Sequence, residues 1–143
     1  MSDALVDRWK QRGNISLWRV KERPGKGWNF SGDAEGRSAL VELLALMESA
    51  RFGSRKTLTL VKVETTPDHV GVYTNRFAQT LAISYPKDKV PVDHWALTHA
   101  ESEVKLELGS EWMTQLREEI AQLTLTHGDF AIGDDDARLW LWE

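Results

Sequence analysis

Two hydrophobic periods stand side by side in this chain, and together they limit what it can fold into. In Glu103–Leu108 apolar and charged residues alternate, which is typical of a strand that buries one face. After Gly109 the apolar spacing becomes helical, and Ser110 and Glu111 suit the start of a helix. The apolar residues of that helix are Trp112, Met113, Leu116, Ile120 and Leu123. The strand face and the helix stripe both need apolar cover, so helix must pack against sheet.

A second amphipathic helix is predicted after Ser31 and Asp33, either of which can cap its first turn. We expect it to end near Gly53, with that glycine in a left-handed conformation. Its apolar stripe consists of Leu40, Leu43, Leu44, Met47 and Ala50, and Arg37, Glu42 and Glu48 lie off the stripe. A short N-terminal helix is expected over residues 3–12, with Leu5, Val6 and Trp9 on one face and Gly13 as its stop.

Strands are predicted where β-branched and aromatic residues recur between turn residues. They cover residues 15–22, 28–30, 57–63, 70–73, 80–85, 93–99, 103–108, 130–132 and 138–142, with turns at 24–27, at Asn75 and at 86–91. The last strand is apolar on both faces, so we expect it inside a sheet. Several loops are too short for parallel crossovers. The sequence therefore predicts an α+β fold: a single domain over residues 1–143, with a mainly antiparallel sheet and two principal helices packed on it.

The composition excludes several kinds of protein. Without cysteine there is no disulfide and no thiolate zinc site. No apolar run approaches the roughly 20 residues of a membrane span, and the N-terminus lacks a secretory signal, so we expect a cytoplasmic protein with no membrane partner. A net charge of −4 argues against general binding to nucleic acid. The basic residues that cluster locally, and that we expect to be solvated, are Arg19, Lys21, Arg23, Lys26, Arg51, Arg55 and Lys56.

No catalytic or cofactor-binding constellation is recognisable. His94 and His99 lie an odd number of residues apart on one predicted strand, so they project to opposite faces. The other titratable candidates are His69 and His127 in predicted loops and the cluster Asp129, Asp134, Asp135 and Asp136. That cluster lacks the spacing of a calcium loop, and the glycines at 24–27 lack the spacing of a phosphate loop. We predict no catalytic residue, no metal ion and no cofactor.

The most distinctive string runs from Trp28 through Asn29, Phe30 and Ser31 to Asp33. In a functional interpretation these five residues form a binding site, because aromatic rings offer contact area and the helix amides that follow can accept an anion. In a structural interpretation the two aromatics anchor the core and Ser31 or Asp33 caps the helix. The pattern favours the structural interpretation, and the five residues remain the candidate binding residues.

Seven tryptophans in 143 residues favour a non-enzymatic protein-binding or interaction module, with a homodimer as one form of it, because tryptophan is enriched at interfaces. Two alternatives stay open. The first is a small-molecule-binding protein or enzyme with a pocket lined by histidine and aspartate between sheet and helix, and it requires His94 or His69 beside a carboxylate in a cleft. The second is a single-stranded nucleic-acid binder with an aromatic sheet face, and it requires Trp18 or Trp140 exposed among lysines and arginines.

Overall fold

Two β-sheets share one hydrophobic core in the computed structural model, which describes residues 4–20, 27–61, 74–123, 130–133 and 139–142. The helices in these ranges are α1 (Ala4–Arg8), α2 (Ala34–Ser49) and α3 (Ser110–Leu123), with a 3-10 turn at Lys87–Lys89. The strands are β1 (Ile15–Val20), β2 (Gly27–Gly32), β3 (Ser54–Thr59), β4 (Thr74–Phe77), β5 (Thr80–Tyr85), β6 (Trp95–Ala100), β7 (Glu103–Leu108), β8 (Phe130–Ile132) and β9 (Leu139–Trp142). The predicted single-domain α+β fold is confirmed.

The strand order is β4-β1-β2-β9-β8 in the first sheet, sheet A, and β3-β5-β7-β6 in the second, sheet B. Among the described strands every pairing is antiparallel except β2–β9 and β5–β7. The mainly antiparallel arrangement is therefore confirmed, although it is divided between two sheets. Strand β9 lies between β2 and β8, so the apolar run at the end of the chain is an interior strand, as its two apolar faces predict.

The two sheets are joined where the chain leaves β4 and enters β5. The Ala78 N–H donates to the Leu17 carbonyl oxygen in sheet A at 2.9 Å. The carbonyl oxygen of the next residue, Gln79, accepts from the Leu60 N–H just beyond β3 in sheet B, also at 2.9 Å. The chain thus turns a corner from one sheet into the other, as strands do in orthogonally packed sheets. Both inner faces consequently contribute to the same core.

Both principal helices bury the stripes that their spacing predicts. Leu43, Leu44 and Met47 of α2 are fully buried, as are Met113 and Ile120 of α3. Burial of a large apolar side chain contributes about 1.5–3 kcal/mol, so this core, rather than local helix propensity, holds the helices in place. The sheet residues that meet them are Ile15, Leu17, Phe30, Leu139 and Leu141 of sheet A and Leu58, Leu81, Ile83, Val104, Leu106 and Leu108 of sheet B.

Helix α2 begins after Asp33, one of its two predicted caps, and departs from the prediction at its C-terminal end and at Arg37. It ends at Ser49, and Ala50 caps it in an extended conformation, so the predicted end near Gly53 is wrong. Gly53 has no positive φ; a Cβ there would be tightly placed, 3.0 Å from the Pro86 Cα. Arg37, predicted off the stripe, is buried because its stem packs against Gly32 at the end of β2.

Helix α1 is shorter than predicted, and its buried face is narrower. Val6 and Trp9 are buried, and their spacing of three residues puts them on one face. Leu5 is 56% exposed, because adjacent helical residues point in different directions, so its expected burial with them is wrong. None of the helices in the described part of the chain is long and apolar enough to cross a membrane.

Four further predictions need correction. Asn75 lies in β4, where it is the extra residue of a bulge against β1, because strand pairing overrides its turn preference. The strand predicted over 57–63 is Ser54–Thr59, so Val61 follows the end of β3 and is 40% exposed. Ser110 is the first residue of α3 rather than the residue before it. Gly27, predicted in a turn, is the first residue of β2, and residues 24–26 of that turn and the predicted strand at 70–73 lie outside the described residues.

Candidate functional site

Four of the five candidate binding residues, Trp28 to Ser31, lie in strand β2 of sheet A. Strand β2 pairs with β1 on one side and with β9 on the other, so both of its backbone edges are occupied. Trp28, Asn29 and Phe30 are buried, and Ser31 is half-buried. The structure places these candidate residues in the centre of a sheet, where little of their surface can reach a partner.

Asp33, the fifth candidate residue, is the N-cap of α2 and ties the chain before β1 to this helix. Its Oδ1 accepts the Gly36 N–H at 2.7 Å and the Asn14 N–H at 3.0 Å. These hydrogen bonds, the one from Asn14 first, lower the pKa of the Asp33 carboxyl below its usual value because they stabilise the carboxylate. An amide that an anion would use at this helix start is therefore already bonded to the protein's own carboxylate.

Most of the tryptophans whose side chains the structure describes belong to the core. The buried ones are Trp9, Trp18, Trp28 and Trp95, and the half-buried ones are Trp112 and Trp140. Trp18 is fully buried, so it is not the exposed stacking platform that the nucleic-acid hypothesis requires. The high tryptophan content therefore reflects packing, and it no longer supports an interface by itself.

The two described histidines occupy different places. His94 Nε2 lies 3.0 Å from Glu107 Oε1, with 28% and 30% of the two side chains exposed. This pair sits on an open sheet face and not in the cleft that the small-molecule hypothesis requires. His99 Nε2 lies 3.3 Å from Arg19 Nη1, and its ring meets Trp28 edge-on with centroids 5.5 Å apart. His99 thus connects sheet B to sheet A.

A metal site does not emerge from the part of the chain that the structure describes, where no three histidine or acidic side chains are placed to hold an ion. The remaining candidates from the sequence lie outside the described residues. They are His69, His127, Asp129, Asp134, Asp135 and Asp136.

The outer face of sheet B, turned away from the core, carries an open groove of about 290 Å³. Small side chains form much of its floor, and Arg55, Glu103 and Lys105 supply the charges. Within the described residues, neither Glu103 nor Lys105 forms an ion pair. The other residues that line the groove are Thr57, Thr80, Ala82, Thr98, His99, Ala100 and Val104.

One edge of sheet B, the β3 edge, is covered by the segment that follows α1. We call residues 9–14 the strap. The Gln11 side chain donates from Nε2 to the Thr59 carbonyl oxygen at 2.6 Å, and its Oε1 accepts the Thr59 N–H at 2.8 Å. Lys56 Nζ donates to the Asp7 carbonyl oxygen at 3.1 Å, which holds the end of α1 beside the same strand. The strap thus occupies backbone groups that another strand would need.

Three contacts anchor the strap to the rest of the protein. Trp9 is buried, and its Nε1 donates to the Ala39 carbonyl oxygen in α2 at 3.0 Å. Arg12 Nη2 lies 2.8 Å from Glu42 Oε2 in an exposed ion pair, and the Asn14 N–H donates to the α2 cap described above. The cover over β3 is therefore part of the packed structure.

The other edge of sheet B, the β6 edge, has no neighbouring strand among the described residues, and we call it the open edge. The Gly109 N–H donates to the His94 carbonyl oxygen at 2.8 Å, so His94 and every second residue after it direct their backbone groups toward β7. Leu97 and His99 consequently direct their N–H and C=O groups away from β7. Strand β6 is the last strand in the order of sheet B, and no described strand pairs with this side of it.

The β6 edge also lacks the devices that usually protect an edge strand, which are lysine, proline, bulges and inward-pointing charges. Trp95–Ala100 contains no acidic residue, lysine, arginine or proline, and its pairing with β7 runs without a register shift. Thr98, His99 and Ala100 are exposed. By contrast, β3 carries Arg55 and Lys56 in addition to its cover.

Sequence reasoning predicted a strand over 93–99 but did not identify it as a site. The available signal was an uncharged strand, Trp95–Ala100, directly before the strongly charged Glu103–Leu108. An uncharged strand indicates a binding edge only if the strand is known to lie at the edge of its sheet. Strand β6 lies at the edge because β8 and β9 join sheet A instead of sheet B.

The chain matches no model of a known protein family and no curated protein sequence. The function is therefore argued from the geometry of the open edge and the groove beside it.

Proposed function

We propose that this protein is a non-enzymatic protein-binding module of the cytoplasm, and that it binds by adding an extended segment of a partner to the β6 edge. The observation that supports the proposal is the outward-facing backbone of Leu97 and His99 on a strand without edge protection. Unpaired N–H and C=O groups in a row are a template for one more strand. A homodimer is the form that this function takes if the added strand comes from a second copy.

Affinity and specificity have separate sources at such an edge. Each main-chain hydrogen bond to the added strand contributes about 0.5–1.5 kcal/mol net, whatever the partner's sequence. Alternate side chains of the added strand then lie over the outer face of sheet B, next to the groove beside Thr98 and Ala100. The backbone therefore provides binding energy, and the groove provides selectivity.

A second candidate function, small-molecule binding, has one observation in its favour, which is the His94–Glu107 pair on the outer face of sheet B. It predicts that members of a fragment library shift the NMR signals of both side chains, and that the shifts disappear in Glu107→Gln. A library that leaves these signals unmoved at millimolar concentration contradicts it.

The proposed function is tested by photocrosslinking in the source cells. The photoreactive residue p-benzoylphenylalanine is placed at Ala100 on the β6 edge and, as a matched control, at Thr59 on the β3 edge, which lies outside the groove; both positions are exposed. We expect a discrete conjugate from position 100 and none from position 59. The conjugate should fall at least tenfold when His99 is replaced by proline, because proline removes the outward N–H without removing a bond to β7.

His99→Thr is the reference for this proline, because it removes the same side chain and keeps the N–H. A second blocking variant, Thr98→Lys, places a charge on the outer face of the edge and keeps the result interpretable if the proline unfolds the protein. Absence of a conjugate from position 100, or an equal yield in His99→Pro and His99→Thr, contradicts the proposal. A conjugate of the chain with itself supports it and identifies the partner as a second copy.

A further inference from the structure

Resting on the proposed function, we infer that the partner segment bound at β6 is not the β6 of a second copy and carries opposite charges two residues apart. The acidic side chain lies in the row of Thr98, and the basic side chain lies in the row of Ala100. The inference follows from the charges that β7 presents immediately behind the edge strand.

Strand β7 directs three charged side chains to the outer face: Glu103, Lys105 and Glu107. Glu107 already has a partner in His94, 3.0 Å away. Glu103 and Lys105 are exposed, line the groove, and have no ion-pair partner among the described residues. Two opposite charges on the outer face are therefore available to a ligand.

The register of the sheet decides which ligand positions meet these charges. Lys105 stands beside Thr98 of β6, and Glu103 stands beside Ala100. An added strand continues the same rows, so its residue next to Thr98 shares a row with Lys105. Its residue two positions away, next to Ala100, shares a row with Glu103.

The small residues on β6 allow the charges to meet across it. Neighbouring strands lie about 4.8 Å apart, so the added strand lies about 10 Å from β7. Thr98 and Ala100 are short and exposed, and the groove extends over both. A long charged side chain from the added strand can therefore extend over β6 while Lys105 or Glu103 extends toward it.

A second copy of this chain does not supply these charges through its own β6. The outer-face residues of that strand are Ala96, Thr98 and Ala100, which carry none. Pairing β6 with β6 would leave both Lys105 and Glu103 without a partner. The charge pattern therefore favours, over β6 of a second copy, a partner segment with an acidic and a basic residue separated by one position.

The test is selection from a displayed library of random decapeptides on the immobilised full-length protein. The wild type is expected to enrich peptides with an acidic and a basic residue two positions apart. Lys105→Glu should replace the acidic residue by a basic one, and Glu103→Lys should replace the basic residue by an acidic one. A peptide selected on the wild type should bind Lys105→Glu about threefold more weakly, the order expected for the loss of one exposed ion pair.

Lys89→Glu is the matched control, because it makes the same change of net charge at an exposed position outside the groove. It should select the same peptides as the wild type. If all variants enrich the same charges, or if no charge is enriched, this inference is wrong. The proposed function still stands in that case provided that enrichment is lost in His99→Pro and kept in His99→Thr. If the wild type enriches no peptides beyond His99→Pro, the proposed function itself is contradicted.

Discussion

The two edges of sheet B differ in how their backbone groups are covered and in the charges that their strands carry. At the β3 edge, the side chain of Gln11 in the strap forms hydrogen bonds with both backbone groups of Thr59. Strand β3 also carries the cations Arg55 and Lys56. At the β6 edge the backbone of Leu97 and His99 faces outward beside uncharged side chains. An unprotected edge invites association, so folded proteins normally block it unless it is used. The difference teaches that this chain protects one edge with a dedicated segment, whereas no described segment covers the other.

Removing Trp9, which anchors the strap, is expected to have the largest effect on the stability of the covered edge. Trp9→Ala should lower the free energy of unfolding by about 3–5 kcal/mol, because it leaves a cavity under a buried indole. The strap should detach, and the Thr59 amide should exchange its hydrogen faster. Trp9→Phe keeps much of the volume and loses only the hydrogen bond to Ala39, so a loss of about 1 kcal/mol is expected. Urea unfolding and hydrogen exchange measure both; an unchanged Thr59 amide in Trp9→Ala contradicts this role of the anchor.

The next effect comes from opening β3 without disturbing the core. Gln11→Leu should cost about 1–2 kcal/mol, because two hydrogen bonds to Thr59 are lost. It should also convert the β3 edge into a second open edge. Analytical ultracentrifugation is then expected to show concentration-dependent association that His99→Pro does not suppress. A variant that stays monomeric at high concentration shows that Arg55 and Lys56 protect this edge without the strap.

A smaller effect should appear in the way the free energy of unfolding depends on pH, through the carboxyl of Asp33 that binds the strap. Because hydrogen bonds lower the pKa of Asp33 in the folded protein, its contribution is complete above the unfolded pKa of about 3.9 and is lost as the pH falls through the folded value. Asp33→Ala should therefore cost about 1 kcal/mol at pH 7 and less at pH 2. Asp33→Asn keeps a capping oxygen without a titrating group, and its stability should change less between these pH values. Urea unfolding at both pH values checks this, and an equal loss for Asp33→Ala at both contradicts it.

The smallest effect is expected at the exposed end of the strap. Arg12→Ala removes the ion pair with Glu42, in which about half of each side chain is exposed. Such pairs contribute roughly 0–1 kcal/mol, so we expect a loss below about 0.5 kcal/mol that vanishes in high salt. Unfolding with and without 1 M sodium chloride, a salt level at which charges are strongly screened, measures it. A loss as large as that of Gln11→Leu would mean that the ion pair, not the amide, holds the strap.

Much of the fold follows from the sequence because its elements bury apolar residues in regular patterns. The stripes of α2 and α3 and the alternation in β7 are of this kind, and they are found where they were predicted. The errors lie where tertiary contacts override local preference. Asn75 joins a bulge because β1 offers it a partner, and Arg37 is buried because Gly32 leaves room for its stem.

The candidate site was harder to predict for a physical reason. The residue types of Trp28 and Asn29 predict a binding site from the sequence, yet both side chains are buried in the interior of sheet A. The open edge is defined by a missing neighbour, and the hydrophobic pattern of Trp95–Ala100 is the same whether or not another strand lies beside it. Only the order of the strands, which depends on where β8 and β9 pair, shows that β6 is exposed.

Hydrogen exchange of the β6 amides, followed by NMR, tests the central claim most directly. The account predicts that Leu97 and His99 exchange rapidly in the free protein while Ala96 and Thr98, whose amides face β7, exchange slowly. A peptide selected on the wild type should then slow Leu97 and His99 at least tenfold and leave Thr57 on β3 unchanged. Amides of Leu97 and His99 that are already as slow as that of Thr98 in the free protein would contradict the account.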